Sequence, residues 1–232
     1  MFDVRVVGGI SVEQLTEFSE QYGREQGLTK ITPIRGGLFG VSITPGQPFA
    51  THAEDKGVIG FRLEDEPATK IVQFRKDGVT FSHVGQYDEW AKFRDRALKP
   101  TAAFLACPGI VKITRVALRY INVIRFPMSK VTLEEYLPGA PIVPQGLPQT
   151  IAGFFSRLVL PIPEDGLVAV ITQALEEPPQ PTPSVILDID VFREVGLEPA
   201  DRSWQQMFEK IREWKNRIFF EFVNENTVGL YK

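Results

Sequence analysis

The chain has 232 residues, 43% hydrophobic and 24% charged, a composition that excludes a largely disordered protein and leaves room for one large domain or two small ones. Its net charge of −3 argues against a bulk electrostatic grip on nucleic acid or anionic lipid, so neither nucleic acid nor a membrane is expected as a partner. Cys107 is the single cysteine, which rules out an intrachain disulfide and a cysteine-based zinc site, and no run approaches the roughly 18 apolar residues of a membrane span.

The N-terminal residues go directly into β-like alternation with no basic-then-apolar leader, and the expected location is the cytoplasm. Residues 3–7 read as a strand. After Gly8-Gly9, Ser11-Val12-Glu13-Gln14 has the form of a capping box, and Val12, Leu15, Phe18 and Tyr22 give a helical stripe. Strands are predicted over 37–43, 57–64, 70–76 and 79–84, the last two joined at Asp77-Gly78, a dipeptide suited to tight hairpin turns. A two-residue turn there sets Phe74 opposite Phe81 and Val72 opposite His83. A helix over 87–98 presents Trp90, Phe93 and Ala97 on one side and is expected to end before Pro100.

The second half reads as a long strand over 112–126, a short helical turn over 132–136, and a proline-rich and glycine-rich connection over 138–148. Strands follow over 153–160, 167–175 (after the turn Glu164-Asp165-Gly166) and 184–192. A last helix over 203–216 carries Trp204, Met207, Phe208, Ile211 and Trp214, capped by Asp201 or Ser203, and 218–223 reads as a closing strand. Both halves thus run strand, helix, antiparallel strands, helix, with Trp90 and Trp204 in matching places when the segment from Tyr87 to Phe93 is aligned with that from Asp201 to Met207. The expected fold is α+β: two similar halves, 1–110 and 111–232, in a helix-grip-like duplication packed as one globular unit.

The strand "RVALRYINVIRF" carries three arginines. Alternation puts Arg115, Arg119 and Arg125 on one face with Ala117, Ile121 and Val123, while Val116, Leu118, Tyr120, Asn122, Ile124 and Phe126 take the other. In "SVILDIDVF", Asp188 and Asp190 likewise share a face. Three readings stand for these five residues: a cross-strand salt-bridge ladder, an arginine fork for phosphate or carboxylate ligands, and a Mg²⁺ site on the two aspartates. On the ladder reading, Arg119 is held by Asp188 or Asp190 and its loss strands a buried charge.

Other constellations carry less. Neither His52, in a loop-like stretch, nor His83, on a strand, has a His or Cys at ligand spacing. Cys107 follows an apolar run and reads as a small buried hydrophobe. "RGGLFG" and "VVGGI" match no phosphate-binding loop, so no catalytic residue, metal or cofactor is expected.

One pattern covers most of the chain from Lys70 onward. It comprises F-x-x-D-G (Phe74, Asp77, Gly78), Y-x-x-W-x-x-F (Tyr87, Trp90, Phe93) and L-R-Y-x-N-x-I with a following proline (Leu118, Arg119, Tyr120, Asn122, Ile124, Pro127). D-x-D (Asp188, Asp190) and K-N-x-I-F-F (Lys215, Asn216, Ile218, Phe219, Phe220) complete it. On these residues the chain resembles a sporadically distributed, uncharacterised bacterial protein family of about this length. The resemblance implies no particular chemistry; the family's patchy occurrence is like that of accessory genes such as defence or toxin–antitoxin components. The leading functional expectation is a non-enzymatic binding or regulatory protein whose partner is another protein. The alternatives are a metal-dependent phosphoesterase or nuclease using Asp188 and Asp190, and a small-ligand carrier with a cavity between sheet and helix.

Overall fold

Phe2, Val4 and Val6 alternate with Asp3 and Arg5 along the first strand, and that alternation decides which side of the sheet becomes core: the three apolar side chains are 0–5% exposed. The computed structural model describes residues 1–42, 50–85, 89–127, 132–176 and 182–231, with 38–42 and 50–54 entering as backbone only. It falls into two compact units, Met1–Arg115 with Val195–Asp201, and Val116–Glu194 with Arg202–Lys232.

The first unit holds β1 (Phe2–Gly8), α1 (Val12–Gln26), β2 (Lys30–Ser42), β3 (Ala50–Glu64), β4 (Lys70–Arg75), β5 (Gly78–His83), α2 (Trp90–Leu105) and the start of β6 (Ile110–Arg125), in strand order β2-β3-β4-β5-β1-β6. The capping box at α1 is formed: Ser11 Oγ accepts from the Gln14 N–H at 3.2 Å and Gln14 Oε1 accepts from the Ser11 N–H at 2.9 Å. Gly27, at φ +68°, closes the helix. Against the apolar sheet face, Phe74 packs between Phe18 (4.8 Å between ring centroids), Tyr22 (5.1 Å) and Phe104 (5.8 Å).

The second unit holds the rest of β6, then β7 (Phe155–Ile162), β8 (Leu167–Leu175), β9 (Ser184–Leu197) as far as Glu194, α3 (Trp204–Phe222) and the short α4 (Glu225–Gly229), in strand order β6-β9-β8-β7. Leu167, Ala169, Ile171, Val185, Leu187, Ile189 and Val191 are buried on one face. On that side α3 sets Lys215 3.8 Å from the Tyr120 ring centre, and buries Trp204, Phe208, Ile211 and Ile218. Burial beside Arg212 pulls the Lys215 ammonium down to about 8, while the aromatic face works against that loss of charge.

Several expectations are corrected. The strands form one nine-stranded antiparallel sheet, ordered β2-β3-β4-β5-β1-β6-β9-β8-β7, in a mostly-sheet protein, and this overturns the helix-grip duplication. Between β6 and β7 the described residues hold only a 3-10 turn, Leu133–Glu135, where the first half has the 15 residues of α1, and Trp204 is 2% exposed where Trp90 is only partly buried. The β4–β5 register is Phe74↔Val79 and Val72↔Phe81, so the turn is Lys76-Asp77 and Gly78 already lies in the strand. A Cβ on Gly78 would come within 2.3 Å of the Val4 carbonyl, and its φ of +155° favours glycine, so the residue serves the close approach of β1 rather than the turn. The helix expected to stop before Pro100 runs on to Leu105, because Phe104 and Leu105 continue its buried stripe. Residues 218–222 extend α3 instead of forming a strand, since Ile218 keeps the helical spacing of Trp204, Phe208 and Ile211. The backbone at His52 belongs to β3, not a loop. Tyr87 and Asp88, part of the expected alignment, lie outside the described residues. No helix among the described residues is long and apolar enough to cross a membrane.

Candidate functional site

The five residues singled out on β6 and β9 do not form one cluster. Arg115 belongs to a polar group in the first unit, centred on Asp3. Cross-strand pairing aligns Arg62, Gln73, Thr80 and Asp3 in one row, with Arg75 and Arg5 flanking Gly78 in the next. Asp3 accepts from Thr80 Oγ1 at 2.6 Å, Arg115 Nη1 at 3.0 Å, Arg5 Nε at 3.1 Å and Arg75 Nη2 at 3.2 Å. Arg5 and Arg75 also reach Asp77, and Arg75 Nη1 donates to Thr80 at 2.9 Å. Glycines on both sides make the reach possible: a Cβ on Gly60 would lie 2.8 Å from Arg75 Cγ and one on Gly78 3.1 Å from Arg5 Cδ. Burial pushes the Asp3 carboxyl up, but the Thr80 hydrogen bond and Arg5, Arg75 and Arg115 together hold it below the usual carboxylate range. This is a shared carboxylate saturated by its donors, with Arg75 itself only 11% exposed.

In the second unit Arg119 donates from Nε to both Asp188 oxygens, at 2.9 and 3.1 Å, and from Nη2 to Oδ2, a fork that occupies the carboxylate. The Arg119 side chain is 44% exposed and that of Asp188 15%, so the guanidinium is partly open to solvent while the carboxylate it holds is largely buried. Asp190 stands two residues on, opposite Val170. The Arg125 guanidinium makes no ion pair among the described residues; its backbone N–H donates to Tyr231 Oη at 3.0 Å.

These residues lie on the face of the β6-β9-β8-β7 sheet turned away from α3. Register carries the Asp188 row outward through Thr172 to Arg157, and the Asp190 row through Val170 to Val159. Ile121, Phe155 and Val159 on this face are 51%, 70% and 56% exposed. Leu158 and Leu160, on the other side of β7, are 43% and 42% exposed, and β7 is the outermost strand among the described residues. Among the described residues, the site is therefore an apolar and arginine-bearing sheet face that no element covers, ending in an edge that no strand pairs. Burial pushes the Cys107 thiol up to about 11, which disfavours its thiolate.

Two features escaped the sequence reading. Asp3 and Arg5 were visible as D-x-R on the polar side of β1, but their partners Arg75, Thr80 and Arg115 come from three other strands. Apolar residues at successive positions of "FSRLVLPI", with a proline in the run, were the mark of the edge strand. Comparison with protein-family models, curated proteins and solved structures gives no match.

Proposed function

We propose that the chain is a non-enzymatic binding or regulatory protein that holds another protein on the uncovered face and open edge of the β6-β9-β8-β7 sheet. The observation that carries this reading is β7, where Phe155, Leu158, Val159 and Leu160 are all more than 40% exposed on an edge that is unpaired among the described residues. Edge strands are ordinarily blunted by charge, twist or cover, and contiguous exposed apolar side chains mark contact surfaces. The competing phosphoesterase reading is weakened because Asp188 already gives both oxygens to Arg119, and no group of three His, Cys, Asp or Glu residues gathers among the described residues. The setting we propose, a bacterial cytoplasm and an accessory system of the defence or toxin–antitoxin kind, follows the family resemblance; a lone half-buried thiol suits a reducing compartment.

The test is affinity capture from the native host with the full chain and with a Phe155→Ser, Val159→Ser double variant. A protein retained in stoichiometric amount by the first and lost by the second is the expected result. Equal retention by both, or phosphoester hydrolysis with Mg²⁺ or Mn²⁺ that vanishes in Asp188→Asn, would overturn the reading. A stoichiometric metabolite in native mass spectrometry, with no protein captured, would overturn it in favour of a carrier.

A further inference from the structure

The β7–β8 register determines which backbone groups of the edge are open. The Phe154 carbonyl accepts from the Leu175 N–H at 3.1 Å, and pairing runs without interruption from Phe155↔Ala174 to Ile162↔Leu167. Antiparallel ladders alternate, so Ser156, Leu158, Leu160 and Ile162 direct their N–H and C=O toward β8. Phe155, Arg157 and Val159 direct theirs outward, and Pro161 adds a fourth outward carbonyl. Pro161 thus occupies a position where its missing N–H costs no bond to β8, the placement that proline takes on an edge.

The side chains beside this open ladder are of two kinds. A strand added to β7 would meet Phe155, Arg157 and Val159 on one face and Leu158 and Leu160 on the other, apolar contacts on both sides. Arg157 is the single charged residue of β7, it is exposed, and its guanidinium makes no ion pair among the described residues. Two strands in, Asp188 on the same row is already held by Arg119, so the sheet supplies Arg157 with no carboxylate from that direction.

Resting on the protein-binding reading above, we infer that β7 receives an extended segment of a different protein as an added strand, with a carboxylate of that segment facing Arg157 and apolar side chains facing Val159, Leu158 and Leu160. Main-chain hydrogen bonds to Phe155, Arg157 and Val159 supply the docking, and the alternating side chains supply the selectivity. A second copy of this chain complements the edge less well: its own β7, FSRLVLPI, brings another Arg157 and no acid, setting cation near cation where a carboxylate is wanted.

Ten-residue peptides displayed on phage, selected against the full chain and then synthesised for fluorescence anisotropy, test this. The expected peptides alternate β-branched or aromatic residues around one Asp or Glu. Arg157→Glu should weaken the best of them by about tenfold or more, and replacing the peptide's acid with Lys should restore binding to that variant. N-methylation of the peptide residues whose N–H groups face β7 should abolish binding, while methylation of those between should not. Because Arg157 is exposed, circular dichroism of the charge-reversed chain should match the unaltered protein. Selection without an acidic position, indifference to Arg157→Glu, or indifference to N-methylation would overturn the inference, as would a dimer in sedimentation that Val159→Lys dissolves. If such peptides fail while the host protein is still lost with Phe155→Ser, Val159→Ser, the added-strand mode fails and the protein-binding reading stands; if both fail, both fall.

Discussion

Asp3 places one carboxylate under three guanidiniums and a hydroxyl, and most of what the polar cluster contributes to stability passes through it. Asp3→Ala leaves Arg75 and Arg115 over the sheet without their shared acceptor, and a loss of about 3–5 kcal/mol in chemical denaturation is expected. Because the folded carboxyl titrates below its ordinary value of 3.8, its contribution is complete above that value and disappears as pH falls through the lower folded one. The acid limb of the stability profile should therefore be shallower in Asp3→Asn than in the unaltered protein, and identical limbs would show that the cluster does not govern acid unfolding. Arg119 is the contrasting case. Its guanidinium is partly in water but the Asp188 carboxylate it holds is largely buried, so Arg119→Ala should cost about 1–3 kcal/mol, less than Asp3→Ala, and a double-mutant cycle with Asp188→Ala should return a coupling of about 1 kcal/mol or more. The sequence placed both arginines on one strand face, as the alternation requires; exposure depends on what covers that face, which alternation cannot reveal.

At the scale of elements, α3 shows how a strong period overrides local propensity. Phe219, Phe220 and Phe222 favour strand, yet Ile218 continues the stripe of Trp204, Phe208 and Ile211, and the helix persists to Phe222. With Trp204 2% exposed and its ring 6.1 Å from that of Phe208, Trp204→Ala should destabilise by about 3–5 kcal/mol. A change below about 1 kcal/mol would mean that the surrounding side chains collapse into the space. The partly buried Trp90 at the start of α2 should cost less than Trp204 in the same assay. In the strands, types were mostly legible and partners were not: β1 lies between β5 and β6, far from its sequence neighbour β2, and only tertiary pairing sets that order. The β4–β5 hairpin makes the same point on a smaller scale, since Asp77-Gly78 announces a turn but the approach of β1 fixes Gly78 inside the strand.

Across the whole molecule, the recurring order of strands and helices in the sequence points to two alike halves, and the nine-stranded order corrects it: between β6 and β7 the described residues hold only the turn Leu133–Glu135, and Pro138, Pro141, Pro144 and Pro148 disfavour a longer helix after it. With 26 basic against 29 acidic residues the chain carries −3, and several of its sheet arginines are paired locally: Arg5, Arg75 and Arg115 converge on Asp3, and Arg119 on Asp188. A phosphate backbone needs several free cations in register, whereas an acidic peptide strand needs only Arg157. Gel-shift titration with duplex DNA and single-stranded RNA should accordingly show no complex at micromolar protein in about 150 mM salt, where proteins with six to ten phosphate contacts lose orders of magnitude in affinity as salt rises. The peptide complex, held by one exposed charge pair and a backbone ladder, should weaken only severalfold between about 50 and 500 mM salt. A nucleic-acid complex whose affinity falls steeply with salt would show that exposed arginines such as Arg125 and Arg157 act together on phosphates, and would replace a protein partner with a nucleic acid on this sheet.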